Sequence, residues 1–188
     1  WRAASAAAGR PWVIDMDENR PAEMGLTPDN AGPLRKEILY DVLFSGGNIE
    51  WYAGYHGLPP GGDLNLEDFR TREDMWAYMR HARRFLEENT PFWEMAHADG
   101  LLLGEAQDYG GGEVFALPGR VYAIYLPLAS DPASLVVPPG LYGLRWYDPR
   151  DGVFAGPAQT HYVRGRLLAI GPPPYTPGGD WVALVTAE

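Results

Sequence analysis

Two short runs hold the side chains that could do chemistry. Pro11-Trp-Val-Ile-Asp-Met-Asp-Glu18 is apolar at its start and ends in carboxylates, and Gly47-Asn-Ile-Glu-Trp51-Tyr-Ala-Gly-Tyr55 ends in aromatics with His56 next in line. A carboxylate at the end of an apolar run loses hydration unless it is paired or hydrogen-bonded, and function is a common reason to keep one there. Glu18 therefore has two readings: a loop-entry acid that caps the next turn or pairs with Arg20, or a nucleophile. Period-two alternation puts Trp12, Ile14, Met16 and Glu18 on one side of an extended strand and Val13, Asp15 and Asp17 on the other. Trp51, Tyr52 and Tyr55 offer flat apolar faces against which a sugar ring can stack, and equally are residues that pack at a strand's rim. Glu50 and His56 lie beside them in sequence and read as surface or supporting groups.

These groups need elements to hold them. Residues 11–18 read as a buried strand and 47–55 as a second. Between them, 33–45 read as a helix, with Pro33 in the first turn and Leu34, Ile38, Leu39, Val42 and Leu43 at helical spacing. This is a βαβ unit, which joins parallel strands through a right-handed crossover. Two parallel strands and one helix cannot cover their own faces, so partner strands are expected, and the rest of the sequence does not supply them. The long connection from Asn19 to Gly32, with Pro21 and Pro28, and the loop from His56 to Leu66 follow the two strands and belong at the functional face of such a fold.

Farther along, Met75, Trp76, Met79, Ala82, Phe85 and Leu86 form one stripe of a helix that starts after Thr71 and ends near Asn89. Arg80, Arg83 and Arg84, with Glu87 and Glu88 beside them, make a solvated charged face of that helix. Beyond Trp93 the pattern changes to short β-rich runs at 101–103, 112–117, 120–126, 134–137, 141–147, 166–170 and 181–185. The turn sequence Asp148-Pro-Arg-Asp-Gly152 stands between two strands. Such a series fits an antiparallel sandwich. At the other end, the Ala-rich start with Gly9 reads as the tail of a helix with a glycine stop, and so as part of something longer.

Composition narrows the function classes. Of 188 residues, 46% are hydrophobic and 13% aromatic, enough for a packed core and unlike a disordered chain. A net charge of −10 argues against a nucleic-acid partner, which needs clustered cations. No apolar run reaches the length of a membrane span. The chain has no cysteine, and His56, His81, His97 and His161 are scattered without the spacing of a metal site, so no metal is expected. Asp63, Asp99, Asp108 and Asp131 read as solvated turn acids. No phosphate loop, Gly-x-Ser-x-Gly elbow or thiol nucleophile is present, and no cofactor is expected.

Pro11–Glu18 with Pro21-Ala22, Gly46–Tyr55, the segment Asp63-Leu-Asn65-Leu-Glu-Asp-Phe-Arg-Thr-Arg-Glu-Asp-Met75-Trp76 and Thr90-Pro-Phe-Trp-Glu-Met95 resemble the end of the apiosidase-like, glycosidase-related (β/α)8 barrels. Val121–Pro127, Tyr142–Gly152 and Asp180–Val185 resemble the β-sandwich attached to such barrels, often labelled a collagen-binding domain. The resemblance implies that 11–18 is the seventh barrel strand and 48–55 the eighth. It puts Glu18 at the retaining nucleophile and Trp51 at the sugar-stacking position. Retaining glycosidases use two carboxyl groups about 5–5.5 Å apart, and in related barrels the acid/base comes from a fourth strand that this sequence lacks.

The expected fold is thus α+β: the last two β/α units of a (β/α)8 TIM barrel over 1–97, then an antiparallel β-sandwich over 98–188. The expected role is the C-terminal portion of a secreted, extracellular, cell-surface or periplasmic glycoside hydrolase-like protein, inactive by itself, whose partner is the missing N-terminal barrel segment. Glu18 is the candidate catalytic residue, and Trp51, Tyr55, Asp17 and His56 are the candidate substrate-binding residues. The alternative is a non-catalytic module that binds carbohydrate or protein, or serves a structural part in a larger assembly.

Overall fold

A computed structural model describes residues 2–10, 12–16, 26, 29–51, 69–104, 111–129 and 133–188. The chain divides into two compact units, Trp1–Ala77 and Tyr78–Glu188.

The first unit opens with α1 (Arg2–Ala7). It stops at Gly9, as the sequence suggests, where Arg10 N–H donates to the Ser5 carbonyl at 3.2 Å and Gly9 N–H to Ala6 at 2.9 Å. The strand β1 is short (Asp15–Met16). The crossover helix begins at Ala31, two residues before the expected start. It runs as α2 (Ala31–Leu34), a π-helical turn (Arg35–Leu39) and α3 (Tyr40–Phe44). A π turn places one extra residue in the helix and rotates everything after it. The buried stripe accordingly passes through Leu34, Arg35, Ile38, Leu39, Tyr40, Val42 and Phe44, while Leu43, expected in the core, is only half-buried. Tyr40 and Phe44 meet edge to face at 5.5 Å.

The helix closes with a Schellman arrangement. Gly47 N–H donates to the Val42 carbonyl at 2.9 Å, Gly46 N–H to Leu43 at 2.9 Å, and Gly46 takes φ +77°. A side chain at Gly46 would be strained by that φ and would also run into the Arg2 guanidinium, which donates a short hydrogen bond to the Gly46 carbonyl. The chain then enters β2 (Asn48–Ile49), which pairs with β1 in parallel, Asp15 opposite Asn48 and Met16 opposite Ile49. The βαβ unit read from the sequence is therefore present.

The expected burial of its first strand is not. Trp12 is 63% exposed, Val13 83% and Met16 40%. The reason is that, among the described residues, β1 pairs with β2 alone, and a two-stranded sheet has little with which to cover its faces. Farther on, Leu26 is buried, and its carbonyl accepts a 3.0 Å hydrogen bond from Nε of the buried Arg72. After a 3-10 turn, α4 runs over Glu73–Asn89 and crosses from one unit to the other. Its end is where the spacing puts it, with Met75, Ala82 and Phe85 buried. The exposed ion pairs Arg83–Glu87 at 2.8 Å and Arg84–Glu88 at 2.9 Å make up its solvated face.

The second unit is antiparallel throughout its described strands. They are β3 (Ala96–His97), β4 (Leu102–Leu103), β5 (Glu113–Leu117), β6 (Val121–Leu126), β7 (Ser134–Val136), β8 (Gly140–Asp148), β9 (Val153–Phe154), β10 (Gln159–Val163), β11 (Leu167–Ala169) and β12 (Trp181–Ala187). A seven-stranded sheet has the order β10-β8-β12-β6-β5-β3, with β9 attached to β8, and a three-stranded sheet has the order β11-β7-β4. Both contribute to one core: Val114, Tyr122, Ile124, Leu144, Trp146, Trp181 and Val185 from the larger, Leu102, Leu135 and Leu168 from the smaller.

The turn chemistry of Asp148–Gly152 makes the β8–β9 hairpin, with Tyr147 opposite Phe154 and Asp148 opposite Val153. Gly152 takes φ +72° there and lies against the His81 imidazole, so a side chain would meet both strain and a ring. Asp148 is buried and grips Arg150 through two hydrogen bonds of 2.7 Å. Burial pushes its carboxyl up, but the side-chain and backbone hydrogen bonds and charge of Arg150, with the Asp151 amide, outweigh this and hold it below the usual carboxylate range. Arg150 in turn stacks 5.1 Å above Trp181. Next to Asp148, Tyr147 donates to the His81 carbonyl at 2.9 Å. Its phenol is pushed up to about 12, by burial first, with Arg84 opposing and Glu88 and Asp148 adding.

Candidate functional site

The parallel pair is the scaffold of the candidate site. Asn48 N–H donates to the Ile14 carbonyl at 2.8 Å and Glu50 N–H to Met16 at 3.0 Å, so the ladder takes in Ile14 just ahead of β1 and Glu50 just past β2. The Asn48 amide side chain adds a 3.3 Å bond to the same Ile14 carbonyl. Because the strands are parallel, both leave the sheet at the same end: β1 at Met16 and β2 at Ile49. Strand-end side chains delivered side by side are how a parallel sheet gathers groups around a ligand.

Of the candidate residues, Trp51 stands at this end, two positions beyond Ile49. It is half-buried, and its indole Nε1 is shielded from water without a hydrogen-bond partner among the described residues. A buried indole N–H ordinarily finds an acceptor, and an unmet one is a donor available to a ligand or to an adjoining segment. Glu18, Asp17, Tyr55 and His56 lie outside the described residues. Of the five candidates, Trp51 is the one that lies among the described residues.

Sequence spacing gave no sign of a second grouping, in the other unit. His97, Asp99 and Glu113 bring one ligand-type atom each within 4.8 Å of one another. His97 and Asp99 are two residues apart, and the pairing of β3 with β5 brings the more distant Glu113 to them. Among the described residues, no helix is long and apolar enough to cross a membrane.

No protein-family model matches the chain. A search of curated proteins also finds no match. Solved structures do share the fold. One is a glycoside hydrolase family 5 protein from Bacteroides vulgatus, with a TM-score of 0.65 and 14% identity over 85% of this chain and 38% of that one. Another is described as a glycoside hydrolase, with a TM-score of 0.63 and 13% identity over 96% of this chain and 42% of its own. At such identities the likeness is one of fold, and the chain spans about two fifths of the length of either structure. The fold is thus one found in glycoside hydrolases.

Proposed function

We propose that the chain is the C-terminal portion of a secreted glycoside hydrolase-like protein: the last two β/α units of a (β/α)8 barrel followed by an antiparallel β-sandwich. The observation that carries this reading is the parallel register of β1 and β2 across a helical crossover, with Trp51 just past the end of β2. Two further facts support it. Met16 in β1, and Trp12 and Val13 just ahead of it, are exposed, as an inner barrel strand would be without its neighbours. The solved structures of like fold are glycoside hydrolases more than twice as long as the stretch they share with this chain.

In this reading Glu18 attacks the anomeric carbon while a carboxylic acid from the upstream barrel protonates the leaving oxygen. Water then releases the glycosyl-enzyme with that second group acting as base. Trp51 and Tyr55 form the stacking wall, and Asp17 and His56 line the sugar site. Trp51 has a second use beyond stacking, since its unmet indole N–H can donate to a sugar hydroxyl.

The test is Glu18→Gln in the full-length parent. Turnover is expected to fall about 10³-fold or more with folding intact. Trapping the wild-type intermediate with a slow-leaving fluorinated sugar should add one glycosyl unit to the peptide that contains Glu18. Unchanged turnover in the variant sinks the assignment.

A further inference from the structure

We propose that the outward face of the seven-stranded sheet, where β10, β8 and β12 lie side by side, is an accessory binding site for a neutral glycan chain, with Tyr162 as its stacking platform and Glu188 and Thr160 as its hydrogen-bonding groups. Strand register builds the site. Tyr162 stands opposite Leu141 and Thr160 opposite Gly143, and on the other side of β8 Thr186 stands opposite Gly143. The Glu188 N–H donates to the Leu141 carbonyl at 2.9 Å, which carries the ladder one residue past β12. Residues opposite one another share a face, and so do residues two apart. Two rows therefore cross the three strands on one face: Glu188, Leu141 and Tyr162 in one, Thr186, Gly143 and Thr160 in the next. Their chain neighbours Val163, Tyr142 and Val185 point the other way, into the shared core.

The first row is apolar at one end and charged at the other. Tyr162 is 70% exposed and Leu141 40%. An exposed aromatic ring offers a flat apolar face, and the face of a sugar ring that carries its C–H bonds fits against it. The Arg164 guanidinium lies over the Tyr162 ring, 5.9 Å from its centre, and brings a fork of donors beside the platform. Gly143 lets Glu188 lie across β8, since Oε1 comes within 3.6 Å of the place a Cβ at Gly143 would take. There Oε1 accepts a 3.2 Å hydrogen bond from the Thr160 hydroxyl, which orients the exposed carboxylate on the same face as Tyr162. An ionised carboxylate has about four acceptor positions, enough to take sugar hydroxyls as well as Thr160.

The chemistry of the patch selects its ligand. Carboxylate and guanidinium stand on one surface, so it carries both signs and favours neither a phosphate nor a polycation. Its two exposed apolar side chains fall far short of the roughly 20–30 residues a side that a protein interface uses. An aromatic face flanked by hydroxyl, carboxylate and guanidinium suits a ligand with an apolar ring face and hydroxyls around its rim. The row crosses three strands spaced about 4.8 Å apart, which gives room for more than one ring. The choice of a sugar as that ligand rests on the glycoside hydrolase reading above, while the site itself uses no residue of the first unit.

The experiment is retention of the full-length parent on an array of neutral polysaccharides (β-glucans, xylans, mannans, arabinans and galactans), compared with Tyr162→Ala, Tyr162→Trp and Glu18→Gln. The parent is expected to be held by at least one of them. Tyr162→Ala should bind that same polysaccharide at least about 10-fold more weakly at an unchanged melting temperature, because its side chain is mostly in water. Tyr162→Trp should keep binding, since the ring face and not the phenol hydroxyl carries it. Glu18→Gln should lose turnover and keep retention, so the catalytic reading and this one can fail separately. Retention by no polysaccharide, equal retention of Tyr162→Ala, failure of Tyr162→Trp to bind, or retention that disappears in Glu18→Gln overturns the proposal.

Discussion

Trp181 and Trp12 sit in opposite surroundings, each at or beside a strand of a different sheet. Trp181 begins β12, between β8 and β6, and is fully enclosed, with Trp146 edge-on at 6.1 Å, Tyr175 at 4.7 Å and the Arg150 guanidinium over its ring. Trp12, just ahead of β1, is 63% exposed. The difference is one of strand count. An antiparallel sheet of seven strands, sharing a core with a sheet of three, encloses the apolar side chains of its inward face within the unit that makes them. A parallel pair cannot, because each of its strands needs neighbours on both sides and cover on both faces. The described strand pair of the first unit therefore leaves Trp12, Val13 and Met16 exposed, where the second unit has an inward face that encloses Trp181.

The comparison can be broken most directly at Trp181. Trp181→Ala is expected to cost about 3–5 kcal/mol of the second unit's stability, measured by urea denaturation, through the cavity it leaves among Trp146, Tyr175 and Arg150. A loss below about 1 kcal/mol would mean that this core is not the support described. A smaller effect is expected at the polar side of the same cluster. Asp148→Asn removes the charge that Arg150 grips at 2.7 Å and should cost about 2 kcal/mol near neutral pH, reduced from the value for a wholly buried pair because Arg150 is a quarter exposed.

The pH dependence of that loss has a definite sign. Asp148 is held below the usual carboxylate range in the folded unit, so its contribution is present above the unfolded value near 3.9 and disappears as pH falls through the lower folded value. Acid denaturation curves of wild type and Asp148→Asn should then converge at low pH. Curves that stay parallel would assign the stability to something other than the carboxylate. The smallest effect belongs to the other tryptophan: Trp12→Ser should shift stability by no more than about 0.5 kcal/mol, and should reduce self-association in analytical ultracentrifugation. If it destabilises the first unit as Trp181→Ala destabilises the second, the contrast between them fails.

Much of this contrast could be read from the residues, though not evenly. The crossover helix, the parallel pair, the glycine stops and the Asp148–Gly152 turn follow from local chemistry, since glycine, proline and apolar spacing act over a few neighbours. The π turn at Arg35–Leu39 did not follow, because it changes the helical phase without any breaker residue to mark it. The strand Gln159–Val163 was missed for a different reason: it lies at the sheet's edge, exposed along most of its length, and carries no apolar alternation. The burial expected of Pro11–Glu18 was read from composition, which cannot tell a strand with neighbours from one without. The grouping of His97 with Glu113 depends on the register of β3 against β5, and sequence spacing does not encode register. Trp51 was legible as a candidate because aromatics at a strand's end stand out by type alone.

The position of β12 bears on how the second unit comes to exist. It lies at the middle of the larger sheet, with β6 on one side and β8 on the other, and both of those strands precede it in the chain. The hydrogen bond from Tyr125 to Asp180 spans 55 residues. Until β12 docks, β6 and β8 each present an open edge, and the loops that must close first are long. Such an order makes for slow folding and a period in which unpaired edges of separate molecules can find one another. The yield of refolded protein should thus depend on protein concentration more than on final stability.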